Sequence, residues 1–177
     1  MDILSHGLWG SISFGRKSRK DFWLSFLFGL LPDFITFAPF FTAVFFGIFP
    51  RPIFSLEAHP PVYDMPLFVH QFYNVTHSLV VFALLFALVW LVRKKPLLPL
   101  LAWPLHIIFD IFTHTEAFFP TPFLWPVSNY HVSLVNWSNP RIFVPNVVLL
   151  LVLYLWFFLR KRAHVRLANR FSDRTSV

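Results

Sequence analysis

Trp103-Pro104-Leu105-His106-Ile107-Ile108-Phe109-Asp110-Ile111-Phe112-Thr113-His114 carries an ionisable residue at every fourth position of an otherwise apolar run. On a helix of 3.6 residues per turn, His106, Asp110 and His114 fall one turn apart on one face, while Leu105, Ile107, Ile108, Phe109 and Ile111 cover the rest. A carboxylate and two imidazoles left unpaired in hydrocarbon would each cost on the order of several kcal/mol. Ionisable groups at such depth mark function by default, and the rest of the chain must supply their partners.

The surroundings are apolar throughout. Of 177 residues 56% are hydrophobic and 13% charged, against roughly 25% charged in an ordinary soluble domain. This composition predicts an integral membrane protein whose first partner is the lipid bilayer. No long polar segment intervenes, so residues 1–162 read as a single integral membrane domain and 163–177 as a basic cytoplasmic tail, frayed or lying on the surface. The net charge of +7 sits in clusters directly beside apolar runs, as juxtamembrane anchors do, so no nucleic-acid partner is expected. Cysteine is absent, which leaves His, Asp and Glu as the only side chains to hold a metal. The Met1-Asp2-Ile3-Leu4-Ser5-His6 start is acidic and lacks a small-residue cleavage site, so no removable signal peptide is expected and His6 is retained.

Apolar segments predict an all-α, multi-pass bundle of about four transmembrane helices plus a short N-terminal helix over 2–14. The expected crossings are Phe22–Phe49, Pro66–Val92, Leu97–Thr113 and Phe143–Leu159. Leu31-Pro32-Asp33 should kink or interrupt the first, because proline removes a backbone donor and clashes with the preceding turn. Lys and Arg collect at 16–20, 93–95 and 160–162, while the long loops at 50–65 and 114–142 hold one Arg each, Arg51 and Arg141. The positive-inside rule therefore puts the clusters and the C terminus in the cytoplasm and the two loops outside.

With orientation set, depth follows at about 1.5 Å per helical residue. Asp33, His77, His106 and Asp110 then lie about 16, 22, 14 and 20 Å from the cytoplasmic ends, His6 about 14 Å and His114 about 26 Å. Separate segments thus place His and Asp in one slab of the membrane. Imidazole and carboxylate are the usual ligands of borderline divalent ions, and a bound cation compensates buried carboxylates. His6, Asp33, His77, His106 and Asp110 suffice for one or two divalent ions, with zinc the first choice, and such an ion makes water a nucleophile near neutral pH. His114 and Glu116 are the candidate proton shuttles or ligand-orienting groups; their competing reading is as loop residues at the outer boundary. Structural readings compete elsewhere too: His106 and Asp110 as a packing pair, Asp33 as a helix cap after Pro32.

Leu31-Pro32-Asp33, Thr76-His77-Ser78, His106-x-x-x-Asp110-x-x-Thr113 and Leu124-Trp125-Pro126, with His6 near the start, resemble the bacterial family of membrane-bound metal-dependent hydrolases. The resemblance covers residues 3 to 127 and implies a multi-helical protein of the bacterial inner membrane. The His-x-x-x-Asp pair is also similar, more distantly, to the ligand helix of the zinc-dependent phospholipase C group. Two departures stand out. The family often has Asp-x-Asp after Leu-Pro and Thr-Pro-x-Gly after the His-x-x-x-Asp helix; here Phe34-Ile35 follows Asp33, and His114-Thr115-Glu116 follows Thr113. The missing second carboxylate near Asp33 weighs against two ions.

The resulting expectation is a metal-dependent hydrolase of a phosphoester or lipid-linked ester. A non-enzymatic transporter or a cation- or proton-conducting protein using the same His/Asp cluster is the alternative.

Overall fold

The computed structural model describes residues 1–52 and 65–175, with backbone alone beyond Arg160. Most of the expected outer loop 50–65 and the side chains of the basic tail therefore lie outside the described residues. The regular structure is helical: α1 (Ile3–Phe14), α2 (Arg19–Phe45), α3 (Leu67–Thr76), α4 (Leu79–Arg93), a 3-10 turn (Leu98–Leu101) running into α5 (Ala102–Thr113), and α6 (Pro140–Thr175). One isolated bridge, Thr115 to Phe118, is the sole strand-like pairing among the described residues.

Local chemistry explains the helix starts. The Asp2 carboxylate accepts from Ser5 N at 2.9 Å to cap α1, Ser18 Oγ accepts from Asp21 N at 3.0 Å to cap α2, and Ser78 Oγ accepts from Val81 N at 3.1 Å to cap α4. Each satisfies a backbone donor that a helix start leaves without an internal partner.

Helices α1 and α2 touch through glycine. A Cβ at Gly29 would stand 2.6 Å from His6 O, and one at Gly10 would stand 2.7 Å from Ser25 O, so only hydrogen at these positions permits the approach. Small residues are how membrane helices reach such separations, because lipid supplies no hydrophobic force to press them together. The contact carries His6 into the centre of the molecule.

Two expected features come out differently. The helix through Leu31-Pro32-Asp33 is not interrupted: α2 runs 27 residues with Pro32 and Pro39 inside it. Thr36 Oγ1 donates to Pro32 O at 2.9 Å, a side-chain bond within the turn that follows the proline. The break lies instead in the expected Pro66–Val92 helix, where α3 and α4 meet at 58° across His77 and Ser78. That bend exposes backbone groups, and neighbours take them up. Trp103 Nε1 donates to Thr76 O at 2.8 Å and Leu79 N donates to Phe123 O at 2.9 Å, while the Ser78 side chain adds a bond of its own from Oγ to Trp125 O.

Among the described residues two helices, α2 and the Pro140–Arg160 part of α6, can cross a membrane by length and composition, and a third span results if the bent α3–α4 pair is counted as one. This is fewer than the four expected. The Leu97–Thr113 segment provides only 12 residues of α-helix, which rise about 18 Å against roughly 30 Å of hydrocarbon. Its α-helix packs inside the bundle against α1 and α2. The molecule is inverted relative to a water-soluble fold: His6, His77, His106, Asp33 and Asp110 are buried, while Phe45, Leu84, Leu91, Leu151 and Leu155 face outward. Such apolar exposure would be a liability in water and is the ordinary surface of a protein in lipid.

Candidate metal centre

Two helices and one helix break converge on the same point. Asp33 comes from the middle of α2, His77 from the break between α3 and α4, and His106 and Asp110 from successive turns of α5. His77 Nε2 lies 3.1 Å from His106 Nε2, 3.4 Å from Asp33 Oδ1 and 3.6 Å from Asp110 Oδ2. His106 Nε2 lies 3.6 Å from Asp33 Oδ1 and 3.1 Å from Asp110 Oδ2. These four donor atoms all stand within 4.8 Å of one another.

The outer ring nitrogens determine what the inner ones can do. His106 Nδ1 is 2.7 Å from Gly29 O; a carbonyl can only accept, so Nδ1 carries a proton and Nε2 is the atom turned inward. His77 Nδ1 is 2.9 Å from Thr76 Oγ1. Thr76 Oγ1 in turn donates to Phe72 O at 2.9 Å and stands 2.8 Å from Thr36 Oγ1, so the His77 ring is tied to both α2 and α3. Two imidazole nitrogens and two carboxylates face one another, and Asp110 Oδ2 has no hydrogen bond despite complete burial. Two buried carboxylates brought this close repel each other by themselves and are compensated by a cation.

The dimensions fit. A tetrahedral ion with ligands at about 2.0–2.2 Å separates neighbouring donors by about 3.3–3.6 Å, and the histidine-centred separations here run from 3.1 Å to 3.6 Å. The Nδ1 anchors on Gly29 O and Thr76 Oγ1 are the outer hydrogen bonds that orient imidazole ligands. Asp33 is the most open of the four, with 11% of its side chain exposed against 0–1% for the others.

The remaining sequence candidates divide. His6 reaches the cluster from the other side: its ring stacks on His106 at 3.6 Å between centroids, and its Nε2 is 2.9 Å from Asp110 Oδ1 without hydrogen-bond geometry. His114 also reaches it, with Nε2 3.5 Å from Asp110 Oδ1 and Nδ1 2.9 Å from Phe119 O. The Met1 ammonium touches the same Oδ1. Glu116, however, is not brought to the cluster. Its side chain is 77% exposed and faces His131 at 3.7 Å, because the chain leaves the bundle one residue after the end of α5. Glu116 therefore has no partner in the chemistry of this centre.

Tyr73 is a site residue that sequence reasoning missed. Its ring stacks on His77 at 3.8 Å, and its hydroxyl donates to Phe119 O at 2.9 Å while standing 2.8 Å from His114 Nδ1. Phe119 holds a left-handed φ of 43°, a conformation that costs a bulky residue on the order of 1–3 kcal/mol, and its carbonyl serves both groups. A signal for Tyr73 existed: it precedes His77 by four residues and so shares its helix face. Thr36 stands likewise three residues after Asp33.

Fold and centre together define the class: an all-helical protein built for a membrane, with a buried His/Asp group able to hold a metal ion. No family model matches this chain, and neither a curated protein nor a solved structure is significantly similar to it.

Proposed function

We propose that this protein is a membrane-embedded, metal-dependent hydrolase of phosphoesters or lipid-linked esters, with Asp33, His77, His106 and Asp110 holding a divalent ion, zinc by donor type. The observation that carries the reading is the set of four buried His and Asp donor atoms within 4.8 Å of one another. When bound, the ion supplies the Lewis acidity that makes water a nucleophile near neutral pH. The chain's own groups orient and shield: Gly29 O and Thr76 Oγ1 hold the two imidazoles, Tyr73 covers His77, and the apolar walls keep bulk water away.

The motif resemblance to the bacterial membrane-bound hydrolases points the same way and suggests the inner membrane. There the basic clusters at 16–20, 93–95 and 160–162 would share the cytoplasmic side. Helix α5, too short to span alone, would return the chain within the shelter of its neighbours.

The test is to purify the protein without chelators, measure bound metal, and assay a generic phosphodiester and a lipid ester in detergent. The expected result is at least one tightly held divalent ion and metal-dependent turnover, both lost in His106→Ala. A metal-free parent, or unchanged metal in His106→Ala, overturns the reading. The 58° break at His77 is also the kind of discontinuity transporters use to bind ions. Ion flux in liposomes with no hydrolysis of either ester would favour that rival.

A further inference from the structure

The turn between α1 and α2 lies beside the Arg160 end of the apolar part of α6. Gly15 closes that turn: a Cβ there would stand 2.5 Å from Phe22 Cα, so the chain reverses this tightly only with hydrogen at the position. Arg16, Lys17 and Arg19 follow, all exposed, and together with Phe157 and Phe158 of α6 they line a cleft of about 510 Å³. We propose that this cleft holds the phosphate headgroup of an anionic phospholipid.

Charge is the first support. The neighbouring carboxylate, Asp21, accepts from Ser18 Oγ at 2.8 Å and does not line the cleft. Among the described residues no carboxylate pairs with Arg16, Lys17 or Arg19. Cations gathered at one opening without a countercharge from the chain favour an anion from outside, and the planar guanidinium forks of the two arginines suit the oxygens of a phosphate. The tail 163–177 is no substitute, because it carries Arg166, Arg170 and Arg174 against one carboxylate, Asp173.

Level in the membrane makes that anion a lipid's. Helix α2 begins at Arg19, and the apolar part of α6 ends at Arg160; both are long and apolar enough to cross a membrane. Residues from both ends line one cleft, so the two spans finish on the same side, where hydrocarbon gives way to headgroups. The aromatic lining sits about one turn deeper than the basic lining: Phe22 and Trp23 follow Arg19, and Phe157 and Phe158 precede Arg160. Phe22 ties the two helices, its ring 6.4 Å from that of Tyr154. Trp23 and Phe158 are each 52% exposed, which offers acyl chains an aromatic surface directly beneath the cations. A free anion would use the basic rim alone, whereas a phospholipid uses both.

The cleft is separate from the metal centre. Gly15 lies nine residues beyond His6 and Arg19 fourteen before Asp33, about 14 and 21 Å along the helices. A headgroup seated there would bind the α1–α2 turn to α6 without touching the buried His/Asp group.

The experiment adds phosphatidylglycerol, phosphatidylcholine or glycerol 3-phosphate to delipidated full-length protein in detergent and counts bound molecules by native mass spectrometry. One phosphatidylglycerol per chain should be retained under conditions that remove phosphatidylcholine, whose choline cancels the phosphate charge. Each cation at an anionic membrane surface is worth about fivefold in affinity, so Arg16→Gln/Arg19→Gln should weaken retention about 30-fold. Arg93→Gln/Lys95→Gln lowers the net charge equally at another helix end and should leave retention unchanged. Unchanged retention in Arg16→Gln/Arg19→Gln, or equal losses in both double variants, overturns the cleft. Equal retention of the two lipids by the parent overturns the proposal, as does glycerol 3-phosphate bound as tightly as phosphatidylglycerol, which would make the ligand a free phosphate. The parent's comparison of the three probes decides even where a variant loses its helical circular dichroism.

Discussion

Helices α1, α2 and α5 form a close-packed unit around buried charge, whereas α6 lies along its edge and meets it chiefly through α1. In the most apolar window of each, 33% of α2 is buried inside the protein and only 6% of the final helix. The attachment of α6 includes three side-chain hydrogen bonds: Trp9 Nε1 donates to Asn146 Oδ1 at 2.8 Å, Asn146 Nδ2 donates to Ser5 Oγ at 2.8 Å, and Tyr154 OH donates to Leu8 O at 2.9 Å. The difference teaches where function resides. Every His and Asp of the candidate centre comes from α1, α2, α5, the α3–α4 break or the residue following α5; none comes from α6, whose Pro140–Arg160 part is long and apolar enough to cross a membrane.

Four substitutions, from largest expected effect to smallest, can break that contrast. Asp110→Ala removes the carboxylate shared by every histidine of the cluster; bound metal measured by mass spectrometry should fall to zero, and retention of any ion would show that the convergence on Asp110 is incidental. Gly29→Leu drives a side chain into His6 O, which a Cβ alone would meet at 2.6 Å. Overpacking of this kind costs about 1–3 kcal/mol, and a thermal melt in detergent should show the loss together with weakened metal binding.

Thr76→Val removes the oxygen that orients His77 while keeping the shape of the side chain. Second-shell losses of this type lower metal affinity about 10–100-fold, to be read by competition with a chromophoric chelator; unchanged affinity would mean that His77 is not a ligand. Asn146→Leu cuts the polar tie between α1 and α6 at a cost of about 1 kcal/mol. Metal content should stay at the parent level, and a loss equal to that of Thr76→Val would erase the distinction between the centre and α6.

Much of the centre was legible because helical geometry is periodic and the cost of burying charge is large. His106 and Asp110 share a face at i and i+4 whatever surrounds them, and depth along apolar runs brought Asp33, His77 and His6 to their level. For Glu116, two residues past His114 in the chain, the sequence left a shuttle role and a boundary-loop position side by side. Position along a chain says nothing about direction once a helix ends, and the loop turns it toward His131. The two helix breaks were exchanged for a related reason. Pro32 looks disruptive locally, but the surrounding packing holds α2 continuous; nothing in Thr76-His77-Ser78 requires a break, and it exists where Trp103 and Phe123 meet the freed backbone groups.

The amino-acid sequence alone thus determined an apolar helical protein with His and Asp residues at one depth, since hydropathy and the 3.6-residue period depend only on neighbouring residues. Tertiary structure decided the rest: that α5 is a core helix rather than a full crossing, that α1 approaches closely enough through Gly29 to deliver His6, and that the two oxygens of Asp110 face different pairs of histidines. Those outcomes depend on contacts between residues as far apart as His6 and Asp110, and on which backbone groups remain to be satisfied after the helices pack.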